Sequence, residues 1–383
     1  LADFDFDRLI ERRGSDSMKW GACAEGELPL WVADMDFAAP PAVTEALRRR
    51  VEHPVYGYGE APPRLRALIV ERLERRYGWK VEPEAIVFMH GVVPGFHFAL
   101  RALLRPGQTL LIQPPVYPPI LNAAPVWGLR ALHNPLRRRA DGRYEVDFDD
   151  FAAKAAQSDL FLLCNPHNPV GRVFRRDELA RMAELALRYG LPIVSDEIHA
   201  DFVYRGHEHL PIAALDEAVE RRTITLMAPS KTFNIAGLET SFAVIPDEAL
   251  RSRYEAAMTG LTRGANIFGF VAAQAAYEAG EPWLAALLRY LEANRDFVAD
   301  FVGRRLPGVK LSKPEGTFLA WLDCREADLP EPPGAFFRRQ AGVCLNEGTL
   351  FGAEGRGFVR LNFAAPRTRL REALMRMERA LQR

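Results

Sequence analysis

The chain is poor in the features that mark several functional classes. Its 383 residues include only four cysteines, Cys23, Cys164, Cys324 and Cys344. None stands at C-x2-C spacing or beside clustered histidines, so no metal site is expected. Scattered thiols point to a reducing compartment, and a cytoplasmic protein is expected. Net charge is lacking as well: 50 Lys and Arg balance 50 Asp and Glu. The arginine runs at 48–50 and 137–139 alternate with acidic stretches, and no basic stripe for nucleic acid results. No apolar stretch reaches the ~18 residues that span a bilayer, so no membrane partner is expected. Leu1 to Arg13 carries several acidic residues and no apolar core, unlike a secretory leader. Internal repeats and low-complexity linkers are missing too.

What is present is apolar material in a definite order. Apolar side chains make up 48% of the chain, enough for a large core, and at ~150 residues per domain two or three domains are expected. The middle of the chain alternates short apolar runs with amphipathic segments. That is the pattern of an α/β fold, a mostly parallel central sheet with helices on both faces. Strands are expected at 85–89, 109–113, 159–164, 191–195, 222–227 and 240–245, with helices at 96–104, 148–156 and 177–189. From about Glu281 the texture changes to a long helical pattern at 283–305, then strands near 317–322, 343–346 and 358–363, and a terminal helix from about Thr368. The expected division is an N-terminal segment 1–39 packing with the small domain, a large domain 40–280, and a small α+β domain 281–383.

In an open parallel sheet, ligands bind at the C-terminal ends of the strands. The residues that follow the expected strands are Gly91-Val92-Val93-Pro94-Gly95, Pro115-Val116-Tyr117, Asn165-Pro166-His167-Asn168-Pro169, Asp196-Glu197-Ile198-His199 and Ser230-Lys231-Thr232. A glycine loop, a tyrosine, an asparagine, an acid and a lysine thus converge on one edge. Each suits pyridoxal 5'-phosphate (PLP). Of six lysines, only Lys231 follows an apolar strand and precedes a small-residue turn, the setting of a Schiff-base lysine. Asp196 ends an apolar strand, where a pyridinium nitrogen would pair with its carboxylate. Asn168 is a donor for the ring oxygen, Tyr117 a stacking partner, and the N–H groups opening the helix after Gly91 suit a phosphate. His199 is placed beneath Asp196 and the ring. Arg360, inside the apolar run Phe358–Phe363, needs an anion, and an amino-acid carboxylate would serve. Each residue alone has an ordinary reading as well: a surface lysine, a helix-capping aspartate, a turn asparagine, a core tyrosine, a structural histidine, an arginine in an intradomain ion pair.

Taken together these motifs resemble the fold-type I PLP enzymes, the aspartate aminotransferase superfamily, over nearly the whole chain. The strongest pieces are Ala228-Pro229-Ser230-Lys231-Thr232-Phe233-Asn234, Asn165-Pro166-His167-Asn168-Pro169-Val170-Gly171-Arg172 and Ser195-Asp196-Glu197-Ile198-His199. Within it, Trp31-Val32-Ala33-Asp34-Met35-Asp36-Phe37, Ser17-Met18-Lys19-Trp20, Gly91-Val92-Val93-Pro94 and the histidine of the Asn165–Gly171 motif resemble the MalY/PatB group of cystathionine β-lyases.

The resemblance implies an aspartate aminotransferase-like PLP fold and β-elimination from sulfur amino acids, giving pyruvate, ammonia and a thiol. An amino-acid aminotransferase of the same fold is the alternative, and a regulatory or partner-binding role is a third reading. By position, Lys231 is the catalytic lysine. Gly91, Val92, Val93, Tyr117, Asn165, Asn168, Asp196, His199 and Ser230 surround the cofactor. Arg360, Ala33 and Tyr56 contact a small amino-acid substrate. Tyr58, in Tyr56-Gly57-Tyr58-Gly59, matches the segment whose tyrosine reaches the neighbouring subunit's phosphate, so a homodimer with shared sites is implied. One departure stands out: the arginine that many aminotransferases carry eight residues after the lysine is Glu239 here, with Arg263 a nearby basic candidate.

Overall fold

The computed structural model describes residues 4–382. Leu1, Ala2, Asp3 and Arg383, the outer ends of the expected first and last segments, lie outside the described residues. Seven strands form the main sheet: β1 (Ile86–Met89), β2 (Thr109–Ile112), β3 (Arg130–His133), β4 (Leu160–Cys164), β5 (Ile193–Asp196), β6 (Thr223–Met227) and β7 (Ser241–Val244). Their spatial order is β1-β7-β6-β5-β4-β2-β3. The pairs from β6 through to β3 are parallel, while β7 runs antiparallel to both β6 and β1. That reversal leaves β1 pointing the same way as the parallel strands, so its C-terminal end joins theirs.

Six of these strands coincide with expected ones because they are buried on both faces and read as short, mostly apolar runs. Side chains alternate between faces: Leu110, Ile112, Leu160 and Leu162 join one apolar cluster, while Leu111, Phe161 and Leu163 join another on the opposite face. Helix α1 (Val92–Leu103) covers the first face, and α2 (Phe148–Ala155) and α3 (Arg176–Arg188) cover the second. Strand β3 was not expected. It is an edge strand, Arg130 and Ala131 are exposed, and no apolar run announces it.

The second sheet is antiparallel, in the order β8 (Lys310–Ser312), β9 (Leu319–Asp323), β11 (Phe358–Asn362), β10 (Asn346–Glu347). Helix α4 (Glu281–Arg305) leads into it and α5 (Arg367–Leu381) closes the chain. The N-terminal stretch joins by strand pairing: Leu28–Pro29 lies parallel to Val343–Cys344. One contiguous apolar cluster runs from Phe6 and Leu30 through β1 and α4 to Leu374 and Met377. The two sheets therefore share a core with the N-terminal segment threaded between them.

Candidate active site

A cavity of about 460 Å³ opens where the parallel strands end. Its wall is built from Gly91, Val92 and Val93 after β1, Tyr117 after β2, Asn168 after β4, Asp196 and His199 at the end of β5, and Ser230 and Lys231 after β6. Because β7 is antiparallel, its start contributes Thr240 and the preceding Glu239. Ala33 closes the cavity from the N-terminal segment.

Lys231 sits in the single helical turn Pro229–Thr232, and its Nζ donates to the Ala33 carbonyl at 2.8 Å. Burial in the cavity floor lowers its pKa to about 8; nearby Asp34 opposes that shift and Arg360 adds to it. The amine thus gives up its proton more readily than an exposed lysine. Asp196 is 3% exposed, and its hydrogen bond among the described residues comes from the Ile198 N–H at 3.1 Å. Burial raises this carboxyl to about 7, with Glu197 adding and the Ile198 N–H and Lys231 opposing. A buried acid without a cation at its side is costly unless something else supplies one. His199 is pushed down to about 3, chiefly by burial, so the ring is neutral; its Nδ1 lacks a partner among the described residues, and its ring meets Phe318 edge-on at 5.7 Å.

The glycine loop divides into two roles. Gly91 caps α1, leaving the first-turn N–H groups of Val92 and Val93 without helical partners at the cavity. Gly95 lies inside the helix instead. A Cβ there would stand 2.4 Å from the Met89 sulfur, so this glycine permits close packing of helix on strand.

Arg360 lies on β11 and is 5% exposed. Its Nη1 donates to Asn168 Oδ1 (3.0 Å), and its Nη2 to the Trp31 carbonyl (2.8 Å) and Asn346 Oδ1 (2.7 Å). Its Nε has no partner. Among the described residues no carboxylate pairs with it, so the intradomain ion pair does not form. A guanidinium held only by neutral amides and carbonyls retains its demand for an anion. By accepting from Arg360, Asn168 Oδ1 also leaves its amide N–H groups free for the cavity.

Several expected residues lie elsewhere. Asn165 is buried and does not line the cavity; its Oδ1 accepts from the Phe174 N–H at 3.1 Å and pins the turn that presents Asn168. Tyr56 and Tyr58 are 57% and 92% exposed on the outer surface, away from this chain's own cavity. Arg263 stacks on Tyr58, 4.7 Å from the ring centre, and lines a separate cleft with Gly59 and Arg66, so it does not replace the missing arginine.

Other residues at the site carried no signal strong enough to single them out. The stretch Trp31–Phe37 is strapped across the junction by bonds at successive residues. Asn362 Nδ2 donates to the Val32 and Asp34 carbonyls, at 2.6 and 2.7 Å. Asn234 holds Met35 and Phe37, accepting from the Met35 N–H and donating to both carbonyls. Beneath lies a buried ionic knot: Asp36 accepts from Lys19 Nζ (3.1 Å), Trp20 Nε1 (3.0 Å) and Arg12 Nη1 (2.7 Å). The 17–20 and 31–37 motifs were visible in sequence, but nothing there said that Lys19 and Asp36 pair.

The cavity fits PLP on its own terms. A pyridinium N–H answers Asp196, first-turn N–H groups answer a phosphate, and the lysine amine stands beside them. Comparison with known proteins agrees. A model of the aminotransferase class I and II family matches residues 26–377. Cystathionine beta-lyase PatB of Bacillus subtilis (strain 168) is 40% identical over 98% of this chain and 100% of its own length. Among solved structures, cystalysin from Treponema denticola, which contains a pyridoxal 5'-phosphate cofactor, superposes with a TM-score of 0.96 at 31% identity, covering 99% of both chains. A PLP-bound C-S lyase from Staphylococcus hominis gives 0.91 at 34% identity, again with 99% of both covered.

Proposed function

Because the chain belongs to the aminotransferase class I and II family, we infer that it is a PLP-dependent carbon–sulfur lyase of the cystathionine β-lyase type. It cleaves a cysteine S-conjugate with water into a thiol, pyruvate and ammonium. The observation that supports PLP chemistry is the convergence on one cavity of the Lys231 amine, its pKa lowered to about 8, and the buried Asp196 carboxyl; the full-length likeness to PatB supports carbon–sulfur cleavage.

PLP, when bound, supplies a carbonyl for covalent attachment and an electron-withdrawing ring that stabilises negative charge next to the substrate amine. The chain's residues do the rest. Arg360 grips the substrate carboxylate and fixes which bond at Cα faces Lys231. Lys231 Nζ, neutral once released, takes the Cα proton as general base. Asp196, as an anion beside the ring nitrogen, would keep that nitrogen protonated. The Val92 and Val93 N–H groups hold the phosphate, helped by Ser230 and with Glu239 in the usual arginine's place. Tyr117 would stack on the ring, Asn168 would donate to its oxygen and His199 would back it. Asn165 acts at one remove, by fixing the turn of Asn168. As the Cβ–S bond breaks, Lys231 or a water protonates the leaving sulfur.

The active assembly is a homodimer. Exposed Val51, Val55, Tyr56, Tyr58 and Leu261 give an apolar surface for a second copy, in which Tyr58 reaches the neighbour's phosphate and Tyr56 its substrate. Residues 40–280 carry the cofactor, while 1–39 and 281–383 cover it and supply Ala33 and Arg360. Four unpaired cysteines fit a cytoplasmic setting, and among the described residues no helix is long and apolar enough to cross a membrane.

The test is to incubate the holoenzyme with L-cystathionine and no 2-oxo acid, following pyruvate, ammonia and free thiol together. Equal, continuing release of all three is expected. A single equivalent that stops until a 2-oxo acid is added would make the protein an aminotransferase.

A further inference from the structure

Some 23 residues into the chain, a tight turn brings three metal-ligating side chains together outside the active site. Glu27 N–H bonds back to the Ala24 carbonyl (3.1 Å), and the Ala24 N–H donates to Glu27 Oε2 (2.8 Å), which places the carboxylate beside Cys23. The next residues pair with the small domain in the register Leu28↔Val343 and Pro29↔Cys344, fixed by the Leu30 N–H on the Cys344 carbonyl at 2.9 Å. Cys344 is thereby carried from the far end of the sequence to the same spot. Cys23 Sγ, Cys344 Sγ and a Glu27 oxygen all lie within 4.8 Å of one another, and both thiols are at most 6% exposed. Sequence spacing could not show this, because the third ligand arrives through strand pairing.

We propose that Cys23, Glu27 and Cys344 form a site for one thiophilic divalent cation, zinc or its soft analogue cadmium, completed by a water at the fourth position. The geometry is close to what tetrahedral coordination asks. Zinc bonds of ~2.3 Å to sulfur and ~2.0 Å to oxygen put the two ligands ~3.5 Å apart, and Cys344 Sγ stands 3.4 Å from Glu27 Oε2. The surroundings supply an outer shell. Arg338 donates to both Glu27 oxygens at 3.1 Å, and Arg13 Nη1 to the Cys23 carbonyl at 3.1 Å. Ligating carboxylates are commonly oriented by such bonds. Two thiolates and a carboxylate carry three negative charges, so the metal leaves a net single negative charge facing two arginines. Without metal, the Cys344 thiol donates to Glu27 Oε2 at 3.4 Å, and each cysteine keeps its own hydrogen. Binding therefore releases two protons: the cation replaces the hydrogen on each sulfur, with no change of oxidation state.

The consequence is structural. The ligands clamp the N-terminal turn to the Val343–Cys344 strand four residues before Trp31, where the strap that reaches Lys231 begins. The site does not depend on the lyase reading.

The test uses full-length holoenzyme, reduced and stripped with a chelator, then titrated with Cd2+ and separately with Zn2+ without substrate. One metal per chain is expected, with a sulfur-to-cadmium charge-transfer band and two protons released. Apparent affinity then tightens about 100-fold per pH unit below the thiol pKa. Cys23→Ser and Cys344→Ser should each remove the band and weaken binding at least about 100-fold, Glu27→Gln about 10-fold, and Cys324→Ser should change nothing. Zn2+ should raise the melting temperature of the native chain and not of Cys23→Ser/Cys344→Ser. The proposal is overturned if the native chain binds no metal with its thiols reduced, if the double variant retains the band, or if oxidation to a Cys23–Cys344 disulfide is the pair's sole response. Should a serine variant fold poorly, Cys23→Ala judged by the same band and proton count decides.

Discussion

Lys231 Nζ donates to the Ala33 carbonyl at 2.8 Å, and so the residue that reacts is anchored by the segment that covers it. With its pKa lowered to about 8, the fraction of neutral amine grows about tenfold per pH unit below that value and saturates above it. Covalent uptake of PLP by the apoenzyme, trapped with borohydride, should follow the same curve, half-maximal near pH 8 and level about one pH unit above it. An unperturbed lysine would keep rising to about pH 10.4. Lys231→Ala should trap nothing while keeping the native melting temperature within about 2 °C, since it removes a lone buried amine and no ion pair.

Asp196 sets up a trade between stability and cofactor binding. Its folded pKa, about 7, lies above the unfolded carboxylate value. Its contribution to apoenzyme stability is therefore full below about pH 4 and is lost as pH rises through 7. Asp196→Asn has no such titration. At pH 8 the variant apoenzyme should melt higher than the native one, and the gap should close on descending to about pH 5. PLP affinity should move the opposite way, falling by at least about 100-fold because the pyridinium loses its anion. Thermal melts at the two pH values, with and without PLP, check both signs.

What was legible in the sequence was what burial writes into it. Strands β1, β2 and β4 to β7 are covered on both faces, and their residues are mostly apolar, with Thr, Ser and the terminal Asp196 the only polar ones. Edge strands β3 and β8 have solvent on one side and carry Arg130 and Lys310, so hydrophobic pattern could not reveal them. At the site, residues directly after strands were found because topology alone brings them together. Asn165 was grouped with Asn168 by adjacency, although its side chain turns inward to the Phe174 N–H. Asn234, Asn346 and Asn362 were missed as anchors, since an amide that bonds a distant carbonyl leaves no periodic trace.

Arg360 should act on the substrate carboxylate rather than on the fold. Its partners are all neutral, so Arg360→Lys keeps the charge but loses the planar fork that reaches Asn168, Trp31 and Asn346 together. We expect kcat/KM for L-cystathionine to drop by about 3 kcal/mol, roughly 100-fold or more, mainly through KM. A substrate analogue lacking the α-carboxylate should be handled equally poorly by both proteins. An equal loss for both compounds would instead mark Arg360 as a structural residue.

Lys19 and Asp36 are both fully buried and 3.1 Å apart, yet their removal should not be symmetrical. Lys19→Met leaves Asp36 with Arg12 and Trp20, two donors that still satisfy its charge. Asp36→Asn leaves Lys19 with Asp34 at 3.4 Å and removes the hub for all three donors. Breaking a buried pair typically destabilises by about 3–5 kcal/mol. We expect Asp36→Asn in that range and Lys19→Met nearer 2 kcal/mol, read as shifts in urea midpoint at constant slope. The double variant should be less destabilised than the sum, with a coupling above about 1 kcal/mol. Both single variants should also raise KM, because the same knot holds the strap that carries Ala33 to Lys231. Equal losses from the two singles, or additivity in the double, would mean that Asp36 is not the centre of the knot.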